Sequence, residues 1–259
     1  MTKTILTIAG SDTLAGGGLQ SDLKTFENHQ LFGVTAISCI ATCKNDQFEI
    51  NDISPVLFND QLQSISANLS LDGIKIGLIH QLESVAFVET FIKSFDGPVV
   101  LDPVMAFKET NNVYSKDYRE KLIELFPFTT IITPNLTEAE LLSQQSIHNK
   151  KDMELAAHKI IELGANAVAI KGGERLSGEL ATDLFHDGHQ MTYFTKPKLV
   201  ANTINGAGCS FASAIASNLV LGDSLLLSVE KSKEFVYQAI RNGIELKNGE
   251  GNVWYGKNV

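Results

Sequence analysis

Apolar positions recur along this chain in two alternating rhythms. Short runs rich in β-branched residues are followed by longer stretches with apolar residues every third or fourth position. Thr4–Ala9 (TILTIA) predicts a strand. Leu19–His29 predicts a helix with Leu19, Leu23 and Phe26 on one face. Between them Gly10–Gly18 is a loop of small residues. Val34–Ala41 (VTAISCIA) is almost continuously apolar, which predicts a strand buried on both faces. Asn59 predicts the cap of a helix running through Leu69. Gly73–Ile76, Val99–Leu101, Thr130–Thr133 and Ala167–Lys171 predict further strands. Glu83–Lys93, Tyr118–Leu125, Thr137–Ser143 and Lys151–Leu163 predict the helices among them, the last stopped by Gly164.

After Lys171 the rhythm changes. Asp183–Thr195 predicts a hairpin turning at His186-Asp187-Gly188, and the helices Ser210–Leu221 and Leu225–Leu246 follow. Strands alternating with helices predict an α/β fold: a mainly parallel central sheet with helices on both faces. No linker or repeat divides the chain, so a single domain over residues 1–259 is expected. In such a fold a ligand sits outside the carboxyl ends of the strands. The residues just after each strand are therefore the ones to inspect.

The first such segment is Gly10-Ser11-Asp12, then Gly16-Gly17-Gly18 and Asp22. A dinucleotide fingerprint would place glycine at 16, 18 and 21, but position 21 is Ser. The second is Asn205-Gly206-Ala207-Gly208-Cys209, leading into a predicted helix. Glycines before a helix start free backbone amides where the helix dipole is positive, which makes an anion site. Cys209 near that terminus is expected to have a lowered pKa. The third is a set of strand-end residues: Asp102, Asn135, Glu138 and Lys171. Carboxylates with a carboxamide suit Mg²⁺ held largely through water and phosphate oxygens. A lysine there suits a transferring phosphoryl group. Each residue also has a bland reading as a turn, a cap or a solvated strand end. Their shared position at strand ends favours function.

Other chemistries fall away. No GxxxxGK[ST] occurs, since the single Gly-Lys pair is Gly256-Lys257 followed by Asn258. The six histidines make no HExxH. Cys39 and Cys43 lack companion ligands for zinc; Cys39 is expected in the core, and Cys43, at a strand end, in the pocket. The formal charge is -9, from 30 acidic and 21 basic residues, which opposes a nucleic-acid partner. Three cysteines, no signal-peptide pattern and no apolar run long enough for a bilayer lead to the expectation of a cytoplasmic protein.

The segments TIAGSDTLAGGGLQSDLKTFENH, LDGIKIGL, VVLDPVM, IITPNLTEAELLS, AIKGG and NTINGAGCSFASAIAS occur in that order. Together they resemble the ribokinase-like kinases, in the branch of hydroxymethylpyrimidine/phosphomethylpyrimidine kinases and related bacterial pyridoxal kinases. The resemblance implies a three-layer α/β/α domain that moves the γ-phosphoryl group of ATP to a hydroxymethyl group on an aromatic nitrogen heterocycle. It implies an anion hole at Gly206, Ala207, Gly208 and Cys209, with Cys209 as the base or as a nucleophile toward an aldehyde. It implies ATP and Mg²⁺ around Asp102, Asn135, Glu138, Lys171 and Gly206, with Glu138 and Asp102 toward the metal. Gly10, Asp12, Gly17 and Asp22 match the substrate pocket, with Asp22 bonding the heterocycle. Three positions depart from the pattern. Cys43 stands where pyrimidine kinases of this branch carry a ring-binding glutamine. Asn205 stands where relatives often have histidine. Phe107 stands where related pyridoxal kinases often have a second cysteine, on a lid expected over Met105–Lys116. The Cys43 departure favours pyridoxal or pyridoxine as substrate; hydroxymethylpyrimidine is the nearest alternative and a non-catalytic vitamin-binding module the more distant one. The resemblance also implies a homodimer.

Overall fold

Side chains alternate across a strand, so successive residues must find two different covers. The computed structural model, which describes residues 2–44, 47–105 and 116–256, shows both covers. The strands are β1 (Thr4–Asp12), β2 (Phe32–Lys44), β3 (Gln47–Asp52), β4 (Gly73–Ile76), β5 (Val99–Leu101), β6 (Ile131–Ile132), β7 (Val168–Ile170), β8 (Leu180–His186) and β9 (Met191–Pro197). They form one nine-stranded sheet in the order β3-β2-β1-β4-β5-β6-β7-β8-β9. The pairs from β2 through β7 are parallel; β3 and the β8–β9 hairpin are antiparallel additions at the two edges. A two-stranded ribbon pairs β10 (Ile244–Glu245) with β11 (Gly251–Asn252).

The helices are α1 (Gly18–Asn28), α2 (Pro55–Asn68), α3 (Leu82–Ile92), α4 (Lys116–Glu124), α5 (Leu136–Ser143), α6 (Lys150–Glu162), α7 (Ala207–Val220) and α8 (Leu225–Arg241). Leu6, Ile8, Leu101, Ile132, Val168 and Ile170 pack with residues of α2 to α6. Their strand neighbours Ile5, Val100, Ile131, Ala167 and Ala169 pack with α1, α7 and α8. The result is the expected three-layer α/β/α fold. Ala-rich α7 and Ala167 and Ala169 suit each other, because small side chains on both sides allow close approach.

Several boundaries differ from the sequence reading. Helix α2 starts at Pro55 under a Ser54 cap, not at Asn59; Ser54 Oγ accepts from Leu57 N at 3.3 Å, and proline suits the first helical position. Strand β3 was not expected, and β2 runs longer than Val34–Ala41 because β3 pairs along its end. Helix α8 stops at Arg241 rather than Leu246, where Asn242 and Gly243 end it. Helix α7 begins at Ala207, so Gly208 and Cys209 lie inside its first turn rather than before it. No helix among the described residues is long and apolar enough to cross a membrane. Phe107 and nearly all of the expected lid lie outside the described residues.

Candidate active site

The strand ends deliver the expected residues to one place. Asp102 directly follows β5 and is buried. Lys171 directly follows β7, and its Nζ lies 2.7 Å from Asp102 Oδ1. Thr133 Oγ1 donates to the same oxygen at 3.3 Å. Lys171 also bridges to Asn135 through the backbone, with Lys171 N donating to Pro134 O at 2.8 Å. Asn135 caps α5: its Oδ1 accepts from Glu138 N at 2.9 Å, and Glu138 Oε2 accepts from Asn135 N at 2.8 Å. This reciprocal capping box engages the carboxamide oxygen of Asn135 and one oxygen of Glu138. The bland reading of Glu138 as part of a capping pattern therefore holds.

The two glycine segments meet. Gly206 adopts φ +86, and a Cβ there would lie 2.5 Å from Gly16 O and 2.7 Å from Ser21 Oγ. Only glycine fits that turn, because both the conformation and the space exclude a side chain. A Cβ on Gly18, at φ +57, would fall 2.2 Å from Gly10 O. Strand β11 ties the two loops together: Asn252 Nδ2 donates to Leu14 O at 2.9 Å and Val253 N to Asn205 O at 3.0 Å. Cys209 is half-buried in the first turn of α7, 3.8 Å from the Cβ position of Gly17, and the Gly18 amide bonds its sulfur. On the neighbouring side, the Cβ position of Gly208 lies 3.3 Å from Lys171 Nζ. Thiol, lysine and glycine amides thus share one corner. Gly206 gives α7 no side-chain cap. Ala207 N is engaged by Ile204 O at 3.1 Å, which removes it from the amides offered to an anion and leaves those of Gly208 and Cys209 among them.

One expectation about charge is corrected. The Cys209 pKa is not lowered. Burial pushes it up to about 11, reinforced by the carboxylates of Asp102 and Asp22, and neither Lys75 nor the Gly18 amide offsets this. Asp22 is held among side chains of other elements. It is fully buried, one oxygen accepting from Thr7 Oγ1 at 2.6 Å and Lys75 Nζ at 2.9 Å, the other from Ser213 Oγ at 2.6 Å. Lys75, Thr7 and Ser213 were missed in the sequence. A lysine inside a strand that is otherwise Gly-Ile-Ile was the available signal, since buried lysines need a partner.

The remaining pocket residues divide. Gly10 packs on Cys39, whose Sγ would be 2.8 Å from a Cβ at Gly10, and Cys39 is in the core as expected. Asp12 shapes the loop, accepting from Leu14 N at 2.9 Å and Gly16 N at 2.8 Å. Cys43 pairs opposite Phe48 and is exposed. By strand alternation it shares a face with Cys39, but it lies farther out along β2.

Glu138 is buried and its pKa is raised to about 7, first by burial and then by Asp102, with Lys171 and the Asn135 and Met105 amides working against the rise. Lys171 stays charged: burial disfavours its ammonium, but Asp102 and then Glu138 more than offset it and raise its pKa. A glutamate in an unfolded chain titrates near about 4.3. Between that value and about 7 the folded protein holds a proton the unfolded chain has lost, so this group lowers stability as pH rises through the window. Glu138→Gln keeps the cap and removes the penalty. It is expected to stabilise the protein by roughly 1–3 kcal/mol more at pH 8 than at pH 4.5. Calorimetric melting at both pH values checks this, and an equal effect at both would refute the assignment.

The model of the phosphomethylpyrimidine kinase family matches residues 12–254. The chain belongs to the phosphomethylpyrimidine kinase family. It is an ATP-dependent phosphotransferase. It is 33% identical over 255 residues to the hydroxymethylpyrimidine/phosphomethylpyrimidine kinase of Rhizobium meliloti, covering 97% of this chain and 95% of that one. It also resembles the pyridoxal kinase of Staphylococcus aureus in complex with AMP-PCP and pyridoxal: TM-score 0.92, 34% identity, 99% of this chain and 94% of the other. Against the phosphomethylpyrimidine kinase of Clostridium difficile the TM-score is 0.79 at 31% identity, over 92% of this chain and 100% of the other. That pyridoxal kinase of the same fold was solved with AMP-PCP and pyridoxal together.

Proposed function

We propose that the protein transfers the γ-phosphoryl group of ATP to the hydroxymethyl group of pyridoxal or pyridoxine. The observation that carries this is the convergence of the Cys209 thiol, the amides of the first turn of α7 and the Lys171–Asp102 ion pair. Phosphoryl transfer asks a protein mainly to position and to neutralise charge. Lys171 neutralises the phosphate oxygens, and the Gly208 and Cys209 amides face the equatorial charge. The thiolate form of Cys209 takes the proton of the substrate hydroxyl as the new P–O bond forms and ADP leaves. Because burial raises the thiol to about 11, only a minor thiolate fraction is competent at neutral pH, and turnover grows with that fraction as pH rises.

The residues fit Mg²⁺. Among the described residues no cluster of three or more His, Cys, Asp or Glu forms a preformed metal cage. Mg²⁺ is ordinarily held by one or two carboxylates with water and phosphate oxygens. Asp102 and Glu138 would supply that pair, and a cation between them would offset the mutual repulsion that, after burial, raises the pKa of Glu138. When bound, Mg²⁺ would screen the negative charge of the phosphates.

Pyridoxal is preferred to the pyrimidine on two grounds. The shape match is closer to the pyridoxal kinase at similar identity. Cys43 also replaces a glutamine able to donate and accept, and a thiol does both only weakly. The test is a parallel kinase assay with pyridoxal, pyridoxine and hydroxymethylpyrimidine. Higher kcat/KM for a B6 vitamer, with Cys43→Gln moving the ratio toward the pyrimidine, is expected. Preference for hydroxymethylpyrimidine in the parent protein would replace this reading with the thiamine-precursor one. The resemblance also supports a homodimer, which light scattering would test. The free thiols suit a reducing compartment such as the cytoplasm.

A further inference from the structure

Lys75 sits in β4 between Ile74 and Ile76 and is 0% exposed. Its ion pair with Asp22, at 2.9 Å, is equally sealed, with 0% exposure of both side chains. Replacing a buried pair by apolar groups of similar volume is often neutral or stabilising, so stability alone gives no reason for an ion pair here. Its location does. Ser213, whose Oγ donates to Asp22 at 2.6 Å, lies four residues after Cys209 in α7. Side chains at that spacing stand on one helix face, one turn apart. Asp22 comes from α1, Lys75 from β4, and Ser213 ties both to the helix that carries the thiol. The other charged groups around Cys209 are Asp102, after β5, and Lys171, beside Gly208; the Gly18 amide of α1 bonds the sulfur. Burial disfavours the Lys75 ammonium, but Asp22 first, then Cys209 and Asp102, keep it charged.

We propose that Lys75 is a positioning residue for Cys209: its fixed charge, anchored by Asp22 and Ser213, favours the thiolate at the start of α7. The proposal rests on the reading of Cys209 as the group at the transfer site, but its test does not use turnover. The rate of Cys209 alkylation by iodoacetamide is measured from pH 8 to 10 on the full chain without nucleotide. Mass spectrometry assigns the site, because Cys39 and Cys43 are free thiols as well. In Lys75→Met the titration is expected to move up by about one pH unit, making alkylation about tenfold slower across that range. The double variant Asp22→Asn/Lys75→Met keeps the interior neutral and serves if the single variant does not fold. It is also expected to be slower, because Lys75 acts on the thiol more strongly than Asp22 does. Ser213→Ala removes a hydroxyl and no charge, so its titration should stay in place. A folded Lys75 variant with an unmoved thiol overturns the proposal, as does an equal shift in Ser213→Ala. An unmoved thiol leaves the kinase reading standing, whereas a moved thiol in a protein that phosphorylates neither vitamin overturns that reading instead.

Discussion

Replacing Cys209 by alanine is expected to cut turnover by about 10²–10⁴-fold, the usual range for loss of a general base. Nucleotide binding should survive, because the amides of the first turn of α7 and Lys171 are untouched. The structure adds a pH signature. With the thiol raised to about 11, its ionised fraction grows about tenfold per pH unit below that value. The wild-type rate should therefore climb between pH 7 and 9, and the residual rate of the alanine variant should not. Initial rates across that range, with calorimetric ATP titration of both proteins, check the claim. An alanine variant that turned over at near-parental rate would reduce Cys209 to a packing residue.

Lys171→Ala is expected to lower turnover by about 10²–10³-fold, the scale seen on removing one group that stabilises developing charge. It also leaves Asp102 buried without its counter-ion, and breaking such a pair costs about 3–5 kcal/mol. Melting the variant separates the two effects: activity measured well below its melting temperature reports the lost charge. Excess Mg²⁺ should not restore this variant, because Lys171 acts on the phosphates directly. Glu138→Ala should recover in part as Mg²⁺ is raised. Equal insensitivity of both variants to the metal would refute that division of roles.

Much of the architecture was legible locally. Runs such as Val99-Val100-Leu101 have no polar face, so they had to lie between two layers, and alternate residues do pack to opposite sides. The turn at Asp187-Gly188 was equally local: Asp187 Oδ1 accepts from Gln190 N at 2.8 Å, and Gly188 takes φ +86. Strand β3 was less legible. It is an edge strand whose alternation, Phe48 and Ile50 among polar residues, is short and weak. The start of α2 was ambiguous locally because Asn59 and Ser54 are both good caps, and Pro55 at the first helical position decides for Ser54.

The sequence by itself determined the alternation of strands and helices, the mainly parallel sheet covered on both faces, and the strand-end positions of Asp102 and Lys171. These are properties of neighbouring residues: side-chain period, cap chemistry and φ preference. Only the tertiary structure decided how charges share space. Asp102 meets Lys171, and Asp22 meets Lys75, through elements far apart in the chain. The same holds for the Cys209 thiol. A helix start alone predicts a lowered pKa, but burial and two carboxylates brought in by other elements reverse the sign. Coulombic and desolvation energies depend on distance and dielectric, and no local run of residues encodes either.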